Sequence, residues 1–357
     1  MKNNEHKIQK VLFVGLGGIG QRHLRNLKSI KGEEIQVFAY RKRNAQFVLN
    51  NRLEIIEDEE LNSKYAITCV SSLEEAFEKG VRTVFICNPT SLHMEVLLPA
   101  LEAGCSVFIE KPIAAGLEQF DKVETLLQKN NNVVFVGYQN RYHPCIKKAK
   151  ELIECHAVGD VLAVYAEIGE CVKNWHKYEN YRDMYACRKD LGGGVIVTQI
   201  HELDYLYYLF GMPQTVYAVG GKLSDLDIDV EDVVDILMGY ETERGSVPVS
   251  VHQDYIQVPP RRSCRIIGTK GKLEFDLLTS EIVQYDEQGT SVYKEQFEFE
   301  RNDMFLEEMK QFLACVETGE DSPISFAEGK QSLVMAMAAR ESMQSGQKVV
   351  IKNEVRG

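Results

Sequence analysis

The sequence predicts a two-domain fold, α/β in its first part and α+β in its second. Three observations support this prediction. A glycine-rich turn follows an apolar run near the start, strand-like and helix-like runs alternate over the first 140 residues, and a series of longer strands follows. We therefore expect a Rossmann-type, doubly wound parallel sheet in residues 1–140 and a large open, mainly antiparallel sheet in residues 141–357.

The predicted strands of the first domain are short, continuous apolar runs. They lie at residues 11–14, 35–39, 83–87, 107–109 and 133–136. Continuous apolar runs indicate strands covered on both faces, and right-handed crossovers bring the carboxyl ends of parallel strands to one edge. Because ligands bind at that edge, the residues that follow these strands are the first candidates for a site.

The predicted strands of the second domain are longer and alternate between apolar and polar residues. They lie at residues 161–167, 216–219, 233–238, 247–251, 265–267 and 272–275. Strands that follow one another in this way indicate antiparallel pairing. Two helices, at residues 302–317 and 325–344, and a short strand at 348–351 are predicted to end the chain.

Composition narrows the class of protein. The 357 residues are 44% hydrophobic and 26% charged, which suffices for two packed cores. The net charge of −12 argues against a nucleic-acid partner, and no apolar run reaches membrane-spanning length or resembles a secretory signal. The nine cysteines include no CxxC pair, so neither a disulfide framework nor a metal site is expected. We expect a cytoplasmic protein that binds neither nucleic acid nor membrane.

The glycine-rich turn reads GLGGIG at residues 15–20 and matches the dinucleotide fingerprint. The first glycine allows the tight turn, the second lets the backbone approach a pyrophosphate, and the third lets the helix pack on the strand. The helix would point its free N–H groups at the phosphates; the alternative is a structural turn that binds nothing. The residues expected at the dinucleotide here are Gly15, Gly17, Gly18, Ile19, Gly20, Arg22 and His23.

The end of the second strand bears on which dinucleotide binds. An NAD site usually has an acidic residue there, but this chain reads Tyr40-Arg41-Lys42-Arg43. Guanidinium groups bind phosphate in a bidentate geometry, so Tyr40, Arg41 and Arg43 predict a preference for NADP. The alternative is that these charges are solvated and NAD binds.

Two further strand ends carry candidate chemistry at the same predicted edge. NPTSLH follows the strand at 83–87, and EKP follows the strand at 107–109. At this point the chain resembles the Gfo/Idh/MocA family of oxidoreductases, and within it the sugar-modifying branch. The resemblance covers nearly the whole chain and rests on GLGGIG (15–20), NPTSLH (88–93), EKP (110–112), GYQNRYHP (137–144) and LGGGVIVTQIHELDYLYYLFG (191–211).

The resemblance implies an NAD(P)-dependent enzyme that exchanges hydride with a carbinol carbon of a sugar or sugar derivative, including nucleotide-linked or acidic ones. It places Lys111 beside the nicotinamide and the substrate hydroxyl. A lysine ammonium that is partly desolvated beside a positively charged ring loses its proton more readily, which suits acid–base chemistry.

His201 is the second catalytic candidate. The family often has an aspartate three or four residues before this histidine, but here the nearer position is Thr198. His201 is thus either a proton relay or a structural histidine that Asp204 or Tyr205 could satisfy at helical spacing.

The remaining site residues also follow from the resemblance. The further dinucleotide contacts are Asn88, Pro89, Thr90, His93, Glu110, Lys111 and Gln139. The substrate-site residues are Lys111, Asn140, Arg141, Trp175, Tyr181, Arg182, Thr198 and His201. Aromatic faces and arginines suit sugars, although the segment around Trp175 could equally be a packing loop. Asp254, Tyr255, Arg261 and Arg262 could reach an anionic substrate group or a subunit interface.

Two alternatives from other functional classes remain open. One is a glycoside hydrolase that uses NAD in an internal redox cycle, and the other is a non-catalytic nucleotide sensor or scaffold. Self-association into a homodimer or homotetramer is expected, because an open sheet needs a cover for its apolar outer face.

Overall fold

The computed structural model describes residues 9–42, 45–130 and 132–351. The chain forms two compact units. Unit 1 runs to Gly137 and also contains His176–Glu179 and Phe305–Gly329, whereas unit 2 contains Tyr138–Trp175, Asn180–Met304 and the residues from Lys330 onward. The sequence predicts two continuous domains; in the structure the chain leaves unit 2 twice to complete unit 1.

The strands are numbered in chain order. They are β1 (Gln9–Val14), β2 (Ile35–Tyr40), β3 (Phe47–Leu49), β4 (Ile55–Glu60), β5 (Ile67–Cys69), β6 (Thr83–Ile86), β7 (Ser106–Glu110), β8 (Val134–Gly137), β9 (Val161–Gly169), β10 (Thr215–Gly221), β11 (Val233–Thr242), β12 (Gly245–Asp254), β13 (Arg261–Gly268), β14 (Gly271–Asp276), β15 (Glu281–Tyr285), β16 (Ser291–Gln296) and β17 (Val349–Val350).

The α-helices are numbered in the same way. They are α1 (Gly18–Lys31), α2 (Leu61–Tyr65), α3 (Leu73–Glu78), α4 (His93–Glu102), α5 (Phe120–Lys129), α6 (Pro144–Glu154), α7 (Val195–Thr198), α8 (His201–Phe210), α9 (Arg301–Thr318) and α10 (Phe326–Ser345).

Unit 1 is built on a parallel sheet with the strand order β5-β2-β1-β6-β7-β8. Every neighbouring pair in this sheet is parallel, which confirms the predicted Rossmann-type fold. The strands are covered on both faces, as their continuous apolar runs predict; Val11, Leu12 and Phe13 of β1 are fully buried. The sequence does not predict the hairpin of β3 and β4, because β4 is mostly acidic and exposed.

The core of unit 1 includes residues from late in the chain. The ring of Phe312 on α9 packs edge-on against Phe85, Phe108 and Phe135 at centroid distances of 5.5, 5.6 and 6.0 Å. The Val136 N–H on β8 donates to the Ile324 carbonyl at 2.9 Å. The sequence predicts α9 as a helix but assigns it to the second domain, because periodicity does not reveal which core a helix joins.

Unit 2 is built on a sheet with the strand order β16-β15-β14-β13-β9-β12-β11-β10-β17. Only the pair of β9 and β12 is parallel in it, which confirms the mainly antiparallel prediction. Burial alternates along the strands: Val234, Ile236 and Met238 of β11 are buried, while Leu237 is 48% exposed. One face of the sheet is therefore covered and the other is open within this chain.

Three further observations concern the described residues. None of their helices has the length and apolar character needed to cross a membrane. Their histidine, cysteine and acidic side chains form no group that could hold a metal ion. Each of the nine cysteines is a free thiol.

Candidate active site

The glycine-rich turn of unit 1 has the backbone geometry of a dinucleotide cradle. Gly15 has φ of 91°, and a Cβ there would lie 2.7 Å from the backbone nitrogen of Asn88. A Cβ on Gly20 would lie 2.3 Å from the Gly15 carbonyl oxygen, whereas one on Gly17 would meet nothing within 4 Å. No side chain caps α1, so its first amides face the open side of the turn. The turn thus leaves room for a pyrophosphate beside Gly17 and fits a dinucleotide.

Tyr178 lies over this turn and is not among the predicted site residues. Its hydroxyl oxygen lies 2.8 Å, and Leu53 Cδ2 3.1 Å, from the position that a Cβ on Gly18 would take. The Tyr178 ring also packs against Phe47 at a centroid distance of 5.7 Å. No spacing signal could have found this contact, because the two residues lie far apart in the chain.

The predicted phosphate-binding arginines lie after β2. Arg41 Nη1 donates to the Ala45 carbonyl at 3.1 Å, and its Nη2 donates to Asn62 Oδ1 at 2.8 Å. The Tyr40 carbonyl accepts the Gly15 N–H at 3.3 Å, which ties the strand end to the glycine turn. Arg43 lies outside the described residues. The Arg41 guanidinium therefore has partners inside unit 1, and a 2′-phosphate would have to compete with them.

Arg22 is likewise directed into unit 1. Its Nη2 donates to the Asn51 carbonyl at 2.8 Å, and its guanidinium lies 4.8 Å from the centre of the Phe305 ring. The side chain is buried, so this geometry favours a role in holding the loop at Asn51.

His93 connects the two motifs that follow β6 and β7. Its Nε2 lies 2.9 Å from the Asn88 carbonyl oxygen, and its Nδ1 lies 3.1 Å from the Ile113 carbonyl oxygen. Burial lowers the pKa of His93, so the neutral ring donates to one of these carbonyls at a time. Thr90, also predicted at the dinucleotide, is buried as well. His93 thus braces the two loops, which favours a positioning role over contact with a nucleotide.

Glu110 and Lys111 end β7 at the same edge. Glu110 Oε1 lies 2.6 Å from His23 Nε2, and Glu110 Oε2 accepts the Lys111 backbone N–H at 3.2 Å. His23 is fully buried and Glu110 is nearly so, whereas Lys111 is half-buried. The polar atoms of His23 and Glu110 therefore face into unit 1, and Lys111 follows them at the surface.

Glu308 on α9 is a second buried carboxyl near Glu110 that the sequence does not reveal. The side chain is fully buried, and neither oxygen has a hydrogen-bond partner among the described residues. Burial, with a further contribution from Glu110, raises the pKa of Glu308 well above its usual value. The environment of Glu308 accordingly favours the protonated, uncharged form of its carboxyl group.

His201, the second catalytic candidate, opens α8 in unit 2. The Gln139 side-chain amide nitrogen lies 3.0 Å from His201 Nε2. An amide nitrogen can only donate, so Nε2 accepts and the ring proton sits on Nδ1. The Tyr138 ring packs edge-on against His201 at 6.0 Å. Gln139, predicted at the dinucleotide, is thus the residue that fixes the tautomer of His201.

Arg141 forms a buried ion pair in unit 2. Its Nε and Nη2 donate to the Asp204 carboxylate at 3.0 and 2.8 Å, and Ser332 Oγ donates to the same carboxylate at 2.9 Å. Three tyrosine rings lie within 6.0 Å of the guanidinium. Because the guanidinium of Arg141 already donates two hydrogen bonds to Asp204, this geometry favours a structural role for Arg141 over substrate contact. The sequence indicates Asp204 only as a partner of His201.

Three other predicted substrate residues lie in unit 2, where Thr198 and Asn140 are buried and Trp175 is half-buried. Thr198 ends α7 close to the Tyr255 hydroxyl, which donates to the Ala186 carbonyl at 3.3 Å, and burial is the main cause that raises the pKa of Tyr255. The Trp175 ring stands edge-on to Tyr255 at 5.3 Å. The Asn140 side-chain nitrogen is buried and has no hydrogen-bond partner among the described residues. Trp175, Thr198 and Tyr255 therefore form one packed cluster.

Three further arginines that the sequence analysis names, Arg182, Arg261 and Arg262, are each paired with a carboxylate. Arg182 Nε donates to Asp227 at 2.7 Å on the surface, and Tyr181 accepts the Asp227 N–H at 3.3 Å. Arg262 makes two bonds, of 2.7 and 3.0 Å, to buried Glu202. Arg261 pairs with Glu167 at 3.0 Å, and the Asp254 carboxylate lies 3.1 Å from His252 Nε2.

The dinucleotide cradle and the motif lysine at one edge of a parallel sheet, with a second unit on an antiparallel sheet, define a nicotinamide-dependent oxidoreductase. A family model described as "Oxidoreductase family, NAD-binding Rossmann fold" matches residues 9–138. A second family model, described as "Oxidoreductase family, C-terminal alpha/beta domain", matches residues 150–351. The chain therefore belongs to the Gfo/Idh/MocA family of oxidoreductases, as the motifs predict.

Two relatives and one solved structure have sequence identities of 19% to 27% to the chain. The chain is 27% identical over 360 residues to myo-inositol 2-dehydrogenase from Thermotoga maritima, a match that covers 97% of this chain and 99% of that one. It is 26% identical over 206 residues to 2,7-anhydro-N-acetylneuraminate hydratase from Mediterraneibacter gnavus, covering 56% and 52%. Levoglucosan dehydrogenase, solved with NADH and levoglucosan, has the same fold, with a TM-score of 0.79, 19% identity, and coverage of 97% and 100%.

Proposed function

We propose that this oxidoreductase transfers hydride between C4 of a nicotinamide ring and a carbinol carbon of a sugar or sugar derivative. The bound nicotinamide supplies the hydride acceptor or donor. The names of the Thermotoga maritima relative and of levoglucosan dehydrogenase support substrates that carry several hydroxyl groups.

One observation carries the proposal: the glycine turn and Lys111 share one edge of the unit 1 sheet. The turn follows β1, Asn88 follows β6, and Lys111 follows β7, and these three strands are neighbours in that order. A nucleotide whose pyrophosphate lies at the turn therefore extends along the edge that carries Lys111. Lys111 takes the hydroxyl proton when the substrate is oxidised and returns it on reduction.

A direct test is to incubate the protein with NAD or NADP and a panel of polyols, aldoses, anhydro sugars and uronic acids, and to follow the absorbance of the reduced nicotinamide. Deuterium at the reacting carbon should move to the nicotinamide. Lys111→Met should remove turnover, whereas Lys122→Met, at an exposed lysine of the same unit, should not. Full activity of Lys111→Met would refute its assignment.

His201 is proposed as a second polar group at the substrate hydroxyl. The bond from Gln139 leaves the ring proton on Nδ1, so the neutral imidazole is held in one tautomer. Because Thr198 stands at the position where the family motif often has an aspartate, we assign His201 the smaller share of proton transfer.

The preference for NADP remains a proposal carried by Arg41 and Arg43. Arg41 already bonds Ala45 and Asn62, so its gain from a 2′-phosphate is reduced by the bonds it gives up. Titration of wild type and of the Arg41→Ala, Arg43→Ala double variant with NADPH and NADH tests it. A selective loss of NADPH affinity supports the preference, and equal losses favour NAD.

A second candidate function is a net non-redox reaction in which NAD is reduced and reoxidised within one turnover. The match to a protein named as a hydratase supports this candidate, because hydration involves no net oxidation or reduction. Release of an aglycone, or of a hydrated product, without consumption of added nicotinamide would support this reaction over net dehydrogenation.

The open face of the unit 2 sheet is proposed to bind a second copy of the chain. One row across this face reads Tyr217, Leu237, Ser250, Tyr165 and Arg265 in strand register. Tyr217, Leu237 and Tyr165 are 39–48% exposed, which makes an apolar band with one cation at its end. Sedimentation of wild type and Leu237→Glu tests it, because a buried glutamate should dissociate the oligomer.

A further inference from the structure

Glu110, which precedes Lys111 in the chain, forms a buried pair with His23 of α1. Each oxygen of the Glu110 carboxylate makes one contact: Oε1 lies 2.6 Å from His23 Nε2, and Oε2 accepts the Lys111 backbone N–H at 3.2 Å. The carboxylate therefore links a fully buried imidazole to the backbone of the lysine. Nothing in the hydride transfer itself requires this link.

The surroundings hold this pair in one orientation. The His23 ring packs on Phe108 at 4.6 Å and on Phe305 at 6.0 Å. A Cβ at Gly137, which pairs with Glu110 in the sheet, would lie 3.4 Å from the Glu110 carboxyl carbon and 3.3 Å from the Phe108 ring. Both side chains are therefore confined to the geometry observed.

The other titratable groups near Glu110 do not replace either contact. Glu308 and the Cys87 thiol are buried, and burial is the main cause that raises the pKa of each well above its usual value, which favours the uncharged form of both. The two ring nitrogens of His93 lie 2.9 Å from the Asn88 carbonyl oxygen and 3.1 Å from the carbonyl oxygen of Ile113, which follows Lys111 in the chain. Glu110 and His93 thus fix the turn that carries Lys111 at both of its ends.

We propose that His23 and Glu110 are positioning residues for Lys111: His23 orients the Glu110 carboxylate, and the carboxylate fixes the backbone from which the lysine side chain reaches the substrate. This inference rests on the proposed function, because it gives Lys111 a reaction to perform. It also reassigns His23 and Glu110 from contact with the dinucleotide to support of the lysine.

The consequence is a specific kinetic signature. A misplacement of about 1 Å in a reacting group can lower the rate by about 100-fold. His23→Leu should therefore lower kcat about 10- to 100-fold, while the dissociation constant of the dinucleotide, measured by protein fluorescence, changes less than about 3-fold. His23→Gln, whose amide can still donate to Glu110, should recover most of the rate.

A double-variant cycle separates positioning from a general structural effect. If His23 acts through Lys111, then His23→Leu in the Lys111→Met background should cause little further loss of turnover. Losses that multiply, an unchanged kcat in His23→Leu, or a large loss of dinucleotide affinity would each overturn the inference.

Two further variants keep the test decisive. If His23→Leu does not fold, then Glu110→Ala is carried through the same cycle, with a thermal melt of each protein. Glu308→Gln is the matched control, because Glu308 is a buried carboxyl of the same unit whose oxygens make no hydrogen bond among the described residues, so this near-isosteric change should leave kcat unchanged. Should Lys111→Met itself retain turnover, the assignment of proton transfer to Lys111 fails on that result alone, whereas the proposed function fails if the wild type turns over no substrate with either nicotinamide cofactor.

Discussion

The surroundings of Lys111 and those of His201 are built in different ways. Lys111 follows a strand, and its support comes from adjacent residues and from the first helix: Glu110 beside it, and His23 behind Glu110. His201 opens α8, and its surroundings combine Gln139 with a pair formed by Arg141 and Asp204. Sheet topology places the first group, whereas the second depends on side-chain pairing between distant segments. Substitutions around Lys111 should therefore mainly affect the chemistry, whereas substitutions in the pair of Arg141 and Asp204 should mainly affect stability.

The largest expected effect compares the two candidate catalytic residues directly. Lys111→Met should lower kcat about 1,000-fold or more, because it removes the group that moves the proton. His201→Gln should lower kcat about 10- to 100-fold, since an amide can replace a polar contact but cannot transfer a proton. Steady-state kinetics on one substrate measures both. Equal losses would show that the two residues share the proton transfer.

The next effect concerns the two buried carboxylates. Asp204→Asn should lower the free energy of unfolding by about 3 kcal/mol, because it leaves the buried Arg141 guanidinium without its counter-charge. Glu110→Gln should cost less, about 1 to 2 kcal/mol, since its amide oxygen still accepts the Lys111 N–H while the contact with the buried His23 ring is weakened. Urea denaturation measures both. The reverse order of losses would contradict the contrast between the units.

Two histidines of unit 2 should respond to pH in opposite directions. Burial, aided by Arg262, lowers the pKa of His143 to about 4, and its Nδ1 accepts the Cys145 N–H at the start of α6. Because the unfolded chain takes up this proton near the ordinary pKa of about 6.5, stability should fall as the pH drops from about 6.5 towards 4. His143→Asn keeps a cap without titrating and should reduce the loss by about 2 kcal/mol.

The matched residue is His252. Its hydrogen bond to Asp254, the largest contribution, raises the pKa of His252 to about 9. The folded state then holds the proton more tightly, so this contribution is present below about 6.5 and is lost as the pH rises through about 9. His252 is partly exposed, so the effect should be on the order of 1 kcal/mol or less. Urea midpoints of His252→Gln across this range measure it; an unchanged profile would contradict the assignment.

The smallest expected effect is that of Gly18→Ala in the glycine turn. Gly18→Ala places a Cβ against the tip of the Tyr178 side chain, which can rotate away, so dinucleotide affinity should fall no more than about 3-fold. Gly20→Ala is the contrast, because its Cβ would meet the Gly15 carbonyl oxygen, a backbone atom that cannot move without opening the turn. Fluorescence titration should show binding in the first variant and none in the second.

The sequence predicts unit 1 better than unit 2 for a physical reason. The ends of β1, β6 and β7 are set by strand order, so the apolar runs alone suffice to place the glycine turn, Asn88 and Lys111 at one edge. Side-chain direction could not be predicted: Arg141 turns to Asp204 and Arg41 to Asn62. These pairings depend on tertiary packing, which periodicity does not encode.

Residues without a local signal escape prediction entirely. Glu308 reads as an ordinary polar position of α9, and only the packing of this helix in unit 1 shows that it is buried. Tyr178 reads as part of a polar, aromatic loop, yet it lies over Gly18. The short polar strands β4, β15 and β16 also lack the apolar alternation by which strands are predicted.

The return of Phe305–Gly329 to unit 1 bears on how such chains can recombine. A gene fragment that stops near residue 140 would encode the whole parallel sheet but not Phe312, which packs on Phe85, Phe108 and Phe135. Its product would expose those aromatic rings to water. Exchange of nucleotide-binding halves between two relatives would thus need at least three crossover points, one near residue 138 and one on each side of Phe305–Gly329, so that α9 is exchanged together with the sheet it covers.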